Sequence, residues 1–356
     1  MAYTTINKSG DYFGTKLWTG NETDNRDIAG FNFQPDFAWI KARNNNYGHS
    51  VFDAVRGVNK YLTTNATNAE IDQPSSGYIS QFNSDGYRLK HGSSTFRNVN
   101  DSDANTTYAS WNWKANGAGS ANTAGSINST ATSANTTAGF SIVKYTGNQT
   151  AGATVGHGLG SVPKMIIVKN LNDSENWVVY HNKLGNTDGL YLNTTDSTVG
   201  TNTFWNNTTP TTTLFTLGNN DRVNNVNIPY IAYCFAEKKG YSKFGSYTGN
   251  GNADGSFIYT GFKPAFVIVK CSSHAGESWW IGDNKRPGYN VNQKALLAES
   301  SAAESDESYQ AVDFLSNGIK WRGTNDRVNA SGKTYIYMAF AEAPLVGSNN
   351  IPCTAR

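Results

Sequence analysis

From Gln34 to Lys41 the chain reads QPDFAWIK, and in an extended strand Phe37, Trp39 and Lys41 fall on one face while Ala38 and Ile40 take the other. Both faces are apolar, which predicts a strand in the middle of a sheet. The pattern returns as VPKMIIVK at 162–169 and KPAFVIVK at 263–270, each time with the lysine six residues after the proline. A second alternating phrase is YIAYCFAE at 230–237 and YIYMAFAE at 335–342, with a diverged form, YASWNWKA, at 108–115. One of its faces is large in every copy (Trp111 and Trp113, Tyr233 and Phe235, Met338 and Phe340), as a core face requires. The other face is polar in the first copy (Ser110, Asn112, Lys114). It is mostly small and apolar in the later two, with Ala232, Cys234 and Ala236, then Tyr337, Ala339 and Ala341. Small residues let another layer approach closely, so these six are expected to form a packing face toward a neighbouring module or subunit.

The flanking landmarks keep one order. TGN at 19–21, YTGN at 145–148 and YTGN at 247–250 come first, and RNVN at 97–100, NDRVN at 220–224 and NDRVN at 325–329 precede the second phrase. Three internal repeats follow from this order. Alternation, turn residues and the lack of a convincing helical stretch predict an all-β chain of three tandem β-sandwich modules, jelly-roll or lectin-like, at 1–114, 139–240 and 241–344. Residues 115–138 contain only Ala, Asn, Gly, Ser and Thr apart from Ile127, which predicts a flexible linker. Only KKGYSKFG separates the second and third modules, so these are expected to pack together. Residues 345–356 form a C-terminal tail.

Composition narrows the function. Aromatic residues reach 13% and charged residues 16% of 356, with 35 glycines, a mixture that suits short strands and tight turns. A net charge of +2 lacks the basic footprint of a nucleic-acid binder. Cys234, Cys271 and Cys353 are widely spaced without a CxxC, so neither a disulfide framework nor a zinc site is expected. The start, MAYTTINKSGDYF, has no signal-peptide pattern and no apolar run reaches membrane-span length, so a chain made in a cytoplasm, without membrane insertion, is expected.

No complete catalytic set emerges. GHGLG at 156–160 precedes a strand rather than a helix and reads as a β-turn instead of a phosphate loop. Asp101, Asp103 and Asn105 have the first spacings of a calcium loop, but Thr106 stands where glycine is needed and Asn112 where a bidentate glutamate belongs. Five histidines lie far apart. The chain is therefore expected not to be an enzyme, with no catalytic residue, cofactor or metal ligand assigned. Trp205 and Trp321, placed by turns, are the candidate ligand-contact aromatics, since an exposed indole offers a flat apolar face to a sugar ring. Lysine–glutamate pairs, Lys169 with Glu237 and Lys270 with Glu342, are expected to close the later two modules.

Together, GFSIVKYTGN, VGHGLGSVPKMIIVKN, WVVYHNKLG, YIAYCFAEKKGYSKFGSYTGNG, GFKPAFVIVK and YIYMAFAEAP resemble a domain of unknown function that recurs in virion proteins of marine bacteriophages, many infecting cyanobacteria and abundant ocean bacteria. The similarity runs from about Gly10 to Pro344. The resemblance implies a β-rich protein on the virion surface, made in the host cytoplasm and without enzymatic activity. Its first expected role is a tail fibre or tail appendage in host recognition. The alternatives are a capsid decoration or other structural virion protein, and a soluble lectin or carbohydrate-active enzyme. Expected partners are other virion proteins, further copies of the chain with a trimer favoured, and a host cell-surface glycan or protein.

Overall fold

The computed structural model describes residues 3–94 and 98–346; Cys353 and the tail beyond 346 lie outside the described residues. The chain is all-β, 43% strand and 5% helix, in antiparallel sheets. One strand order occurs three times. In the first copy an opening strand, Phe13–Thr19, pairs with a closing strand, Thr107–Trp113, which pairs with the Pro-to-Lys strand Phe37–Ala42, followed by a fourth strand, Ser50–Asp53. The second copy repeats this with Phe140–Thr146, Pro229–Ala236, Pro163–Asn170 and Val178–His181. In the third, Ser242–Thr248, Thr334–Pro344, Phe262–Cys271 and Trp280–Asp283 take the same places. Each main sheet is backed by a small one, built on Arg26–Ala29, Ala153–Gly156 and Phe257–Tyr259.

The repeated words are explained by what they lock. The last asparagine of each RVN-type word is buried, and its side-chain oxygen accepts the backbone N–H of the TGN asparagine: Asn100 from Asn21 at 3.3 Å, Asn224 from Asn148 at 2.9 Å, Asn329 from Asn250 at 3.1 Å. The TGN glycine sits hard against backbone, and a Cβ on Gly147 or Gly249 would lie 2.2 or 2.3 Å from the carbonyl oxygen of Asn225 or Ala330. Only glycine fits there. The first tyrosine of the closing phrase then accepts a backbone N–H through its hydroxyl (Tyr108 from Asp101, Tyr230 from Asn225, Tyr335 from Ala330) and stacks on the opening strand's Trp18, Tyr145 or Tyr247.

The two faces of the closing strand go to different cores. Its large face meets its counterparts from the other copies: Trp113, Phe235 and Phe340 form a triangle with ring centroids 6.2, 6.0 and 5.4 Å apart. Around them one continuous core takes residues from all three copies, including Phe13, Phe37, Phe140, Met165, Phe266 and Met338. The opposite face fills each copy's own interior against its small sheet. Ala232, Cys234 and Ala236 pack with Val155 and Phe215, and Tyr337, Ala339 and Ala341 pack with Ile258 and Ile319. This corrects the expected packing face. Copies join through aromatic side chains that span the wide gap between sheets, whereas small residues admit the close second layer of the same copy. Ser110 and Asn112, polar in the first copy, are equally buried there, with the Ser110 hydroxyl oxygen accepting from both Asn112 Nδ2 and the Tyr87 hydroxyl.

The expected flexible linker is also corrected. Residues 115–138 contain two strands, Ser120–Asn122 and Ser129–Asn135, and the latter pairs with the outer edge of Phe140–Thr146 from Ala131↔Lys144 to Asn135↔Phe140. Strand addition needs backbone donors and acceptors, which a polar segment supplies as well as an apolar one. The segment is anchored to the first copy by Asp36, whose carboxylate accepts the N–H groups of Ala115 at 2.7 Å and Gly117 at 3.2 Å.

Candidate functional site

The copies meet at seams that follow one another in a ring. The carbonyl two residues after each repeated Pro-to-Lys lysine accepts a backbone N–H from another copy: Leu171 from Glu70 at 2.9 Å, Ser272 from Thr198 at 3.1 Å and Arg43 from Glu304 at 2.5 Å. The first copy thus binds the second, the second the third, and the third the first. Ring nitrogens repeat the cycle. Trp177 Nε1 donates to the Thr63 carbonyl at 2.9 Å, Trp279 Nε1 to the Tyr191 carbonyl at 2.9 Å, and His49 Nε2 lies 2.9 Å from the Leu297 carbonyl. Nearer the axis, Tyr233 donates to Asp53 at 2.7 Å, Trp111 Nε1 to Asp283 at 3.0 Å, and His181 Nε2 lies 3.2 Å from the Tyr337 carbonyl.

These seams hold much of the buried charge. Asp53 binds Arg56 at 2.5 Å and Asp283 binds Arg286 at 2.6 Å, all four side chains fully buried, with Glu70 and Glu304 completing each group at 3.2 and 2.9 Å. Burial opposes the Glu304 carboxylate's charge, but Arg286 and Arg43 outweigh it and hold its pKa down to about 2. Lys41, Lys169 and Lys270 are buried and donate to backbone carbonyls, the last two across a seam to Thr67 at 3.1 Å and Thr195 at 3.0 Å. The expected Lys169–Glu237 and Lys270–Glu342 pairs do not form. Glu237 binds Lys243 at 2.9 Å, and Glu342 binds Lys263 at 3.2 Å and Lys285 at 3.6 Å.

The polar groups of this constellation are partnered inside the protein, some within their own copy, as Lys41 is by the Ala42 and Asn45 carbonyls, and others across a seam, as Lys169 and Lys270 are. Trp205 and Trp321 are likewise interior, 1% and 0% exposed within the second and third cores, so neither indole presents a face to a ligand. Sequence position misplaced them because Trp205 lies in a turn that packs inward and Trp321 ends a strand, Gly318–Trp321, of the third copy's small sheet. GHGLG begins with the last residue of the strand Ala153–Gly156 and continues as a loop, with Gly158 and Gly160 at φ +71° and +63°, into the strand from Pro163. Glu22, Asp101 and Asp103 come within 4.8 Å of one another, but the buried Asp101 already accepts from the Tyr47 hydroxyl and, at 3.1 Å, from the Asp103 N–H.

What faces outward is uneven. Among the described residues the exposed aromatic side chains are Phe257, Tyr259, Tyr289 and Tyr309, all in the third copy. Two of the clefts that adjoin that copy lie at its borders with the other copies. One of about 280 Å³ lies between the first and third copies, with Phe13 and Phe31 beside Lys16, Lys285 and Glu342. The other, about 220 Å³, lies where the second copy passes into the third and is lined by Tyr3, Glu237, Ser242, Lys243, Tyr259 and Gly261 among others. The N-terminal arm closes its side: the Tyr3 hydroxyl donates to the Gly261 carbonyl at 2.6 Å and Thr4 Oγ1 to the Lys239 carbonyl at 2.6 Å. Burial, then the neighbouring Tyr259, pushes the Tyr3 pKa up to about 12, so its proton stays on that bond.

A family model described as a domain of unknown function, DUF7483, matches residues 8–344. The chain belongs to that family. No curated protein and no solved structure is detectably similar. The matched span covers all three copies and the first-to-third seam, so the family unit is the whole ring rather than one repeat.

Proposed function

We propose that the chain is a non-enzymatic structural protein of a bacteriophage virion, displayed on the particle as a tail fibre or tail appendage that takes part in recognising the host surface. Its architecture in this reading is three tandem β-sandwich modules, derived by internal triplication and closed into a ring. The phage assignment rests on the motifs quoted above. Support for recognition comes from one observation: a threefold-repeated scaffold carries all its exposed aromatic residues, among those described, on a single copy. Rigid sandwiches hold contact surfaces at low entropic cost, and aromatic residues dominate contact energy, so exposed aromatic residues confined to one copy suit attachment. The reading of a capsid decoration loses the small apolar face that would have favoured it, since that face lies inside each copy.

Gold-labelled antibody against the chain, applied to purified particles of the phage that encodes it and imaged by electron microscopy, tests this. Label on the tail is the expected result. Label over the capsid, or none on the particle, overturns it.

A further inference from the structure

We propose that the cleft between Tyr3 and Tyr259 is a saccharide-binding site, with Tyr259 and Phe257 as the stacking platform for a pyranose ring. This rests on the recognition reading above and names the class of ligand.

The three copies provide an internal comparison. The strand Phe257–Tyr259 corresponds to Arg26–Ala29 and Ala153–Gly156, aligned by their inward residues Ile258, Ile28 and Val155. All three are buried at 5%, 4% and 0% exposure. The flanking outward positions are not constrained by that role. Where the third copy has Phe257 and Tyr259, the first has Asp27 and Ala29 and the second Thr154 and Gly156. The fold is therefore built twice without these rings. In the third copy they stand 46% and 54% exposed, side by side on one face of an edge strand.

The chemistry beside them is that of a hydroxyl-rich ligand. Glu237 is held with Oε1 on Lys243 at 2.9 Å and Oε2 on the Phe244 N–H at 3.2 Å, which leaves lone pairs on both oxygens for neighbouring ligand hydroxyls. The Lys243 ammonium keeps further N–H donors. Gly261, at φ +79°, brings the chain close. A Cβ there would lie 2.8 Å from the Tyr3 hydroxyl oxygen and 3.6 Å from that of Tyr259, so the two phenols border one opening. A pyranose has an apolar C–H face and a rim of hydroxyls, and matches a flat ring flanked by a fixed carboxylate and ammonium. An apolar peptide would desolvate that ion pair and leave its remaining lone pairs and N–H groups without a partner. A volume of about 220 Å³ suits one ring rather than a buried oligosaccharide.

The test is binding of the full chain to an array of bacterial O-antigens and capsular polysaccharides, followed by titration of the bound polysaccharide. Binding to at least one polysaccharide is expected, weakened about tenfold or more by Tyr259→Ala and by Glu237→Gln. Tyr289→Ala, outside the cleft, should leave it unchanged, and thermal midpoints should show all variants folded. An array with no bound polysaccharide, or binding indifferent to Tyr259→Ala, overturns the site. Tail labelling together with a silent array would remove the saccharide site while leaving the attachment reading intact.

Discussion

Asp53 and Asp283 do the same work in two copies, each fixing a buried arginine and accepting a donor from another copy, whereas the second copy has His181 and Leu184 at those places and uses an imidazole bond instead. Removing one such carboxylate leaves a buried guanidinium with only its outer glutamate, Glu70 or Glu304. Asp283→Ala is expected to cost about 3 to 5 kcal/mol in urea unfolding, and a loss below about 1 kcal/mol would show that the pair is solvated. The histidines set the acid side. His49 Nδ1 accepts from Trp39 Nε1 at 2.8 Å and His181 Nδ1 from the Lys183 N–H at 3.2 Å, so each ring donates through Nε2 and has no place for a second proton. Burial lowers both pKa values, His181 to about 4, and lowers Lys41 to about 7 and Lys169 and Lys270 to about 8. A base with a depressed folded pKa folds best uncharged, so stability rises with pH between the folded and unfolded values. The thermal midpoint should therefore climb from pH 7 to 9 and fall from pH 6.5 toward 5, where raised Asp36 and Glu299 oppose only part of the loss. A flat profile from pH 5 to 9 would contradict these assignments.

Much of each element can be read from the sequence, and what cannot has a physical reason. Pro-to-Lys and closing strands lie where alternation places them, because a strand with two buried faces must spell apolar residues on both. The TGN and RVN words are legible because their lock uses fixed side chains. The lysine partners are not legible, since they are backbone carbonyls contributed by any residue type. Which closing-strand face looks toward the axis is equally hidden, because both faces are core. The 115–138 segment misleads because adding a strand to an edge requires no apolar side chain. Among the described residues the other opening strands, Phe13–Thr19 and Ser242–Thr248, stand at the edge of their sheets, whereas that of the second copy is covered by the added strand. Thr132→Pro, opposite Val143, should free that edge. Light scattering is expected to show concentration-dependent association of this variant, and a variant that stays monomeric with an unchanged midpoint would mean the added strand protects nothing.

At the scale of the whole molecule, the seams and the shared aromatic core make the copies interdependent. Trp113 alone lies within 6.4 Å, centroid to centroid, of Phe13, Phe37, Phe140, Phe235, Phe266 and Phe340, which span all three copies. A linear array of modules could lose one member and keep the rest, but a closed ring that loses one copy exposes the inner faces of the other two. Ring closure would also fix Phe257 and Tyr259 of the third copy on one scaffold, which the proposed contact surface requires. Differential scanning calorimetry of the intact chain tests ring closure most directly. One transition with a calorimetric to van't Hoff enthalpy ratio of about 1 is predicted, whereas separate transitions, or a ratio of about 3 as for three independent units, would contradict it.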